Sequence, residues 1–316
     1  SMVCVIRSDR QTDLARRCAA DAFVAVVGAL LVAVVVHDVF HTLFHPVGRG
    51  SVSPHVMKLV WWLLRLFRHD RRIASLTGPL GIALVVITWG AMAVLGWAML
   101  YFPQMADGFA YGTELNPADR HSALDALYVS LVTIGTLGMG DIVPTSPFLR
   151  VMVPMEALFG FMLLTAAVSW VLQIDPALRR RRVLALQLST LREARRANPD
   201  LDVDSIPADV LTGLAAAIVE ARNDFTQYGA TYYFRDVEAD ASLAASLEYA
   251  ARLANDGAAS THPQTRLAAA LITAAVESLA VLLNQNFLKL DGNVDAVIQA
   301  YATDHRHGGQ RRAPTA

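Results

Sequence analysis

The chain has 316 residues, of which 54% are hydrophobic and 17% charged, with a net charge of −1 and a mean hydropathy of +0.38. Soluble domains carry about 25% charged residues, so this balance excludes an ordinary soluble globular domain and points to a membrane protein. The near-zero net charge offers no basis for a nucleic-acid partner, and two cysteines, Cys4 and Cys18, exclude a disulfide framework.

The leading Ser-Met reads as an expression remnant, and residues 2–18 carry Asp9 and Asp13 with no signal-peptide pattern. Crossing a bilayer as a helix takes roughly 20 apolar residues. Ala22–Leu43 is the first run of that length. His37, His41 and His45 follow a four-residue spacing near its end, which puts them on one helical face. Such a face admits zinc binding or proton sensing; polar heads meeting lipid headgroups at a helix end is the plainer reading. Pro54–Phe67, PHVMKLVWWLLRLF, mixes apolar residues with Lys58, Arg65 and the pair Trp61-Trp62. It suits a helix lying in the interface, with a short span as the rival.

Leu80–Phe102 and Phe148–Leu172 are the second and third span-length runs. Ala123–Ile134 lies between them and is too short to cross, so it suits a re-entrant helix. Arg68, Arg71 and Arg72 before the second span, and Arg179–Arg182 after the third, place both of those ends on the cytoplasmic side. The region 103–141 then faces outside. An interfacial Pro54–Phe67 puts the N-terminus outside; a spanning one puts it inside, where Arg7, Arg10, Arg16 and Arg17 pull.

Ile174-Asp175-Pro176 predicts the end of the third helix, because proline disfavours continuation, and makes it a candidate coupling point. From Leu184 onward there are sixteen acidic and eleven basic residues, and the stretch lacks a long uninterrupted apolar run. Helical periodicity recurs in Val183–Arg196, Ala208–Phe225, Leu243–Ala254, Thr265–Leu290 and Val294–Tyr301. The Arg179–Arg182 run reads as orientation and headgroup contact. Asp200, Asp202 and Asp204 form an acidic connector; a calcium loop needs glycine and glutamate where Ser205 and Leu211 stand. Tyr232-Tyr233-Phe234 reads as core.

One stretch departs from all of this. In ALYVSLVTIGTLGMGDIVPTS, Ala126–Ser146, apolar helix breaks into glycines around a methionine, followed by a carboxylate. Alternating backbone conformations that turn successive carbonyls the same way are easy only for glycine, and Gly138 and Gly140 supply them. The stretch resembles the pore loop of tetrameric potassium channels of the two-span-per-pore type, with TLGMG in place of the TVGYG filter. The resemblance covers roughly Leu80 to Gln173. It implies that Thr136, Leu137, Gly138, Met139 and Gly140 form the selectivity filter, and that K+ sits on the carbonyls of Thr136, Leu137, Gly138 and Met139. Leu137 and Met139 would then face the supporting wall, and Asp141 would stand at the outer mouth. Met139 and the sparse pore-helix aromatics, Tyr128 with Val129 beside it, soften that wall. Glu156, an acid inside the third span, is the expected brace behind the filter, bonding Ser130, Thr133 or a backbone N–H. Gly160 is a hinge candidate, with close helix packing as its equal rival. Thr165 and Ser169 are candidate cavity residues.

The expected fold is therefore an all-α membrane protein: transmembrane helices with a re-entrant pore helix and filter, an all-α cytoplasmic domain, and a tetrameric channel architecture. The expected divisions are an N-terminal segment (1–21), an N-terminal span with interfacial helix (22–76), a pore domain (77–176), a helical cytoplasmic domain (177–304) and a disordered tail (305–316). The expected function is passive, potassium-selective conduction through a homotetrameric pore in the plasma (cell inner) membrane. K+ is the permeant ion and no cofactor is expected. Partners are other copies of the chain, membrane lipids and an unidentified ligand of the C-terminal domain. A weakly selective cation channel and a membrane-anchored sensor or scaffold are the alternatives. No constellation for enzyme chemistry is evident.

Overall fold

Apolar runs free of helix-breaking clusters fold as helices, and the computed structural model describes them over residues 2–43, 50–66, 76–112 and 123–305. In chain order these are α1 (Met2–Leu43), α2 (Ser53–Leu66), α3 (Thr77–Tyr101), α4 (Ala123–Ile134), α5 (Leu149–Ala197), α6 (Ala208–Gln227), α7 (Leu243–Ala258), α8 (Pro263–Leu283) and α9 (Val294–Asp304). Residues 1–21, separated in the sequence reading, belong almost entirely to α1. His45, Arg68, Arg71, Arg72 and the tail 306–316 lie outside the described residues.

The chain divides into two units, Ser1–His55 with Ala83–Trp170, and Val56–Ile82 with Val171–Ala316. In the first, α1 packs against α3. A side chain on Gly28 would overlap the Gly96 carbonyl, and one on Gly96 would meet Val32. Further along α1, Asp38 meets Trp89. Contact moving up α1 while it moves down α3 makes the two helices antiparallel. The core gathers Trp97, Tyr101, Met105, Phe109, Val129 and Leu149 around the base of α4. An unforeseen two-stranded ribbon closes this unit. β1 (Phe109–Tyr111) pairs antiparallel with β2 (Ile142–Pro144), Ala110 opposite Val143.

The second unit is a helical bundle in which α6, α7 and α9 pack on α8, whose Leu267, Leu271 and Val281 stay exposed. Ile272, Leu279 and Leu283 of α8 are buried against these helices. The sequence reading found no span-length apolar run after Arg182, and the structure corrects it. Pro263–Leu288, at a hydropathy of 1.9, is long and apolar enough to cross a membrane, one of four such helices among the described residues. A largely apolar helix serves equally as part of a bundle's core.

Two further expectations change. α5 does not end at Pro176 but runs unbroken through it for 49 residues. Proline removes one backbone bond, and tertiary contacts hold the turns beyond it: Ile174, Ala177 and Leu178 are buried. Those contacts include most of the Arg179–Arg182 run, expected to face lipid headgroups. Arg180 makes a bidentate pair with Asp224 at 2.5 and 2.9 Å. Arg181 is buried and donates to the carbonyls of Thr231 (2.7 Å) and Phe234 (2.9 Å) and to Asp236 (3.0 Å). Arg182 also donates to Asp236, at 2.8 Å. Acids lying 44 to 55 residues downstream claim these guanidiniums.

α2 is 14 residues long, about 21 Å as an α-helix, against a hydrocarbon core of about 30 Å. Its Trp61 is buried against protein, with the Arg235 guanidinium 3.8 Å from its ring centroid and Tyr232, Tyr233 and His305 around it. Trp62 stays exposed. Tyr232 and Tyr233 are core residues here, Tyr232 stacking on Phe287 at 4.1 Å. In the acidic connector, Asp202 accepts from the Ser205 N–H at 2.9 Å, and Asp204 bonds Ser260.

Candidate functional site: a glycine-rich loop after a short apolar helix

α4 buries Ala126, Val129 and Ser130, three to four residues apart, against the first unit's core. Its last carbonyls are taken up by the chain that follows. The N–H of Gly135 bonds Leu131, that of Thr136 bonds Thr133, and that of Leu137 bonds Val132, at 2.8–3.1 Å. Helical hydrogen bonding stops there.

The loop then alternates. Thr136 (φ 56°), Gly138 (φ 56°) and Gly140 (φ 80°) take the left-handed region, while Leu137 and Met139 between them do not. For the glycines this conformation is unstrained. Thr136 is a β-branched residue in a region that L side chains rarely occupy, a strain that no local pattern announces. Residues 136–140 are all exposed on the single chain, and a Cβ built on Gly138 or Gly140 meets nothing within 4 Å.

Two polar contacts hold the loop's far end. The Tyr128 hydroxyl donates to an Asp141 carboxylate oxygen at 2.7 Å, and the Gly112 N–H donates to the Asp141 carbonyl at 2.7 Å. Tyr128 thus brings an aromatic hydroxyl to the loop from the helix behind it, although the loop itself carries Met139 where the TVGYG filter it resembles has tyrosine.

Glu156 of α5 is fully buried behind α4. One carboxyl oxygen lies 2.5 Å from the Ser130 hydroxyl, and the other accepts from the Tyr101 hydroxyl at 2.7 Å. Ser130 also lies 3.0 Å from the Val94 carbonyl. One carboxyl group therefore joins α3, α4 and α5. Ser130 was a sequence candidate for this contact. Tyr101, 55 residues from Glu156, carried no local signal. Thr133 enters through its backbone carbonyl, which receives Thr136. Gly160 lies one turn further on, where a side chain would overlap the Ile134 carbonyl at the end of α4. This close approach gives the glycine a packing reason. Thr165 is exposed and bonds its own helix at Phe161.

The histidine face resolves differently. His37 and His41 lie with ring centroids 4.2 Å apart, tilted by 42°, while Asp38 beside them is committed to Trp89, Val52 and Ser53.

Comparison with known proteins converges on the same stretch. Residues 87–174 match the family model described as ion channel. The chain is 24% identical over 163 residues to the Bacillus subtilis (strain 168) membrane protein YdjJ, covering 51% of this chain and 47% of that protein. It is 36% identical over 64 residues to two-pore potassium channel 5 of Arabidopsis thaliana, covering 19% of this chain and 16% of that one. The chain thus spans half or less of the length of these relatives. No solved structure matches it. The chain is a helical membrane protein that carries, over residues 87–174, a domain of the ion-channel type.

Proposed function

We propose that four copies of this chain assemble around a central axis and conduct K+ passively through a pore lined by the carbonyls of residues 136–139. The carrying observation is the left-handed backbone at 136, 138 and 140, every second residue. That period turns successive carbonyls to one side, and carbonyl oxygens replace the water shell of a dehydrated cation without titrating. Leu137 and Met139, 65% and 66% exposed on one chain, would be covered by neighbouring copies, as would part of Met155, Leu158, Phe161 and Met162 on α5, also exposed. Asp141 in four copies would concentrate cations at the mouth. The similarity to a protein named as a potassium channel supports K+ as the ion.

In this reading Glu156 braces the filter from behind, and Gly160 lets α5 pass close under the pore helix. The antiparallel pairing of α1 and α3 supports α2 as a helix that does not cross. The C-terminal bundle would then face the cytoplasm of a cell whose plasma membrane holds the channel, and the N-terminus would lie outside.

The test is ion flux into liposomes holding the purified full chain, with K+ and then Na+ as permeant ion. K+ flux with little Na+ flux, blocked by Ba2+, is expected. Equal fluxes would replace selectivity by weakly selective cation conduction, the consequence of a wall softened at Met139. Absence of both fluxes, with a partner captured by the C-terminal bundle, would favour a sensor or scaffold.

A further inference from the structure

Asp38 lies inside the apolar run of α1 and is fully buried. A carboxyl group in such a run is costly unless its oxygens are hydrogen-bonded, and here they are. One oxygen accepts from the Trp89 indole Nε1–H at 2.6 Å and the Ser53 N–H at 3.0 Å. The other accepts from the Val52 N–H at 2.6 Å and the Ser51 hydroxyl at 3.4 Å. The loop ahead of α2 wraps the carboxylate closely enough that a side chain on Gly50 would overlap it. A helix serving only as an anchor has no use for this arrangement.

Its consequence passes through Trp89. The indole, itself fully buried on α3, is pinned at Nε1. Its ring lies 5.4 Å from that of Trp170, tilted by 37°, and Trp170 is 3% exposed on α5. A buried indole whose N–H is committed cannot turn without breaking that bond. The seat of Trp170 is therefore fixed by a carboxylate on a different helix, 51 residues from Trp89 in sequence.

We propose that Asp38 is a positioning residue of the pore: through Trp89 it sets where α5 rests at Trp170, and so biases the balance between open and closed states. This makes the N-terminal span part of the gating machinery, and it rests on the channel reading above. Asparagine offers one carbonyl oxygen where four donors converge, so Asp38→Asn loses at least one bond. Trp89→Phe removes the indole donor and keeps an aromatic ring.

The experiment compares reconstituted wild-type chain, Asp38→Asn, Trp89→Phe and the double variant in single-channel recordings. A hydrogen bond to a charged group contributes about 1.5–3 kcal/mol, so each single variant should shift the open-to-closed ratio by roughly 10- to 100-fold. The reversal potential should stay unchanged, and the double variant should shift no further than the larger single one. Folded variants that gate like the wild type would overturn the proposal.

A second arm needs no conduction. Ala167, 7% exposed one turn before Trp170, is replaced by cysteine in a chain with Cys4 and Cys18 changed to serine. Its labelling by a thiol reagent should quicken roughly tenfold when Asp38→Asn or Trp89→Phe is added, the scale of one lost bond; an unchanged rate would overturn the proposal. If the wild-type chain passes no ion, the channel reading fails and the gating role with it, and this arm decides the seating of α5 by Asp38 alone. If Asp38→Asn does not fold, Trp89→Phe carries the test.

Discussion

Replacing Glu156 by alanine removes the acceptor of the Tyr101 hydroxyl and the partner of Ser130 at once. Glu156, Ser130 and Tyr101 are all within 1% of full burial, so water does not readily replace what is lost. Ser130 keeps the Val94 carbonyl as its acceptor, so the Tyr101 hydroxyl alone is left unsatisfied, at about 1–3 kcal/mol, before any term for the void. Glutamine should behave otherwise. Ser130 can donate to the Val94 carbonyl at 3.0 Å while accepting from position 156, and Tyr101 needs an acceptor there. An amide supplies one donor and one acceptor, so Glu156→Gln should cost less than about 1.5 kcal/mol, the net value of one hydrogen bond. The assay is thermal unfolding of the detergent-solubilised protein, paired with inactivation and reversal potential in bilayers. Glu156→Ala should unfold early and inactivate or lose selectivity, with Ser130→Ala partly redundant to it in a double-mutant cycle. A folded Glu156→Ala chain that melts and conducts like the wild type would refute the brace.

Gly160→Ala should lower stability by about 1–3 kcal/mol, the usual cost of overpacking, because its methyl would press on the Ile134 carbonyl; thermal melting reads the loss, and an unchanged midpoint would dismiss the contact. In the second unit, burial pushes the His305 imidazole down to about 4, below the unfolded value of about 6.5. The unfolded chain then binds a proton that the folded one refuses, so stability contributed at neutral pH falls as pH drops from about 6.5 toward 4, by about 2 kcal/mol at pH 5. Melting between pH 7 and 5 should show this slope, and His305→Gln should flatten it; parallel slopes would exclude His305 as the source. Cys18 is free and exposed, so in a chain with Cys4 changed to serine, a membrane-impermeant thiol reagent added to intact cells should label it. Labelling only after lysis would reverse the proposed topology.

What the sequence disclosed was local. The apolar run 123–134 with no glycine inside it, ended by Gly135, bounded α4, and the glycines at 138 and 140 foretold the left-handed steps. What stayed hidden depended on distant partners. Asp38 reads as one polar residue beside histidines until Trp89 folds against it. Four consecutive arginines read as a charged helix end until Asp224 and Asp236 return to meet three of them. Pro176 obeys a local rule that holds for isolated helices and yields when the turns beyond it are clamped. The largely apolar α8 fits a lipid or a protein environment equally well, and only its neighbours distinguish the two.

Thr136 gives a different kind of information. Holding a β-branched residue at φ 56° costs on the order of 1–2 kcal/mol, and glycine would stand there without strain. The chain uses glycine two and four residues later and withholds it here. In the channel reading, stability and activity would thus be set against each other at a single position, the trade-off expected where a side chain is wanted for what it does. Thr136→Gly is the variant in which a tighter-folding chain should make a poorer pore, and a library selected for thermal stability alone should drift toward it.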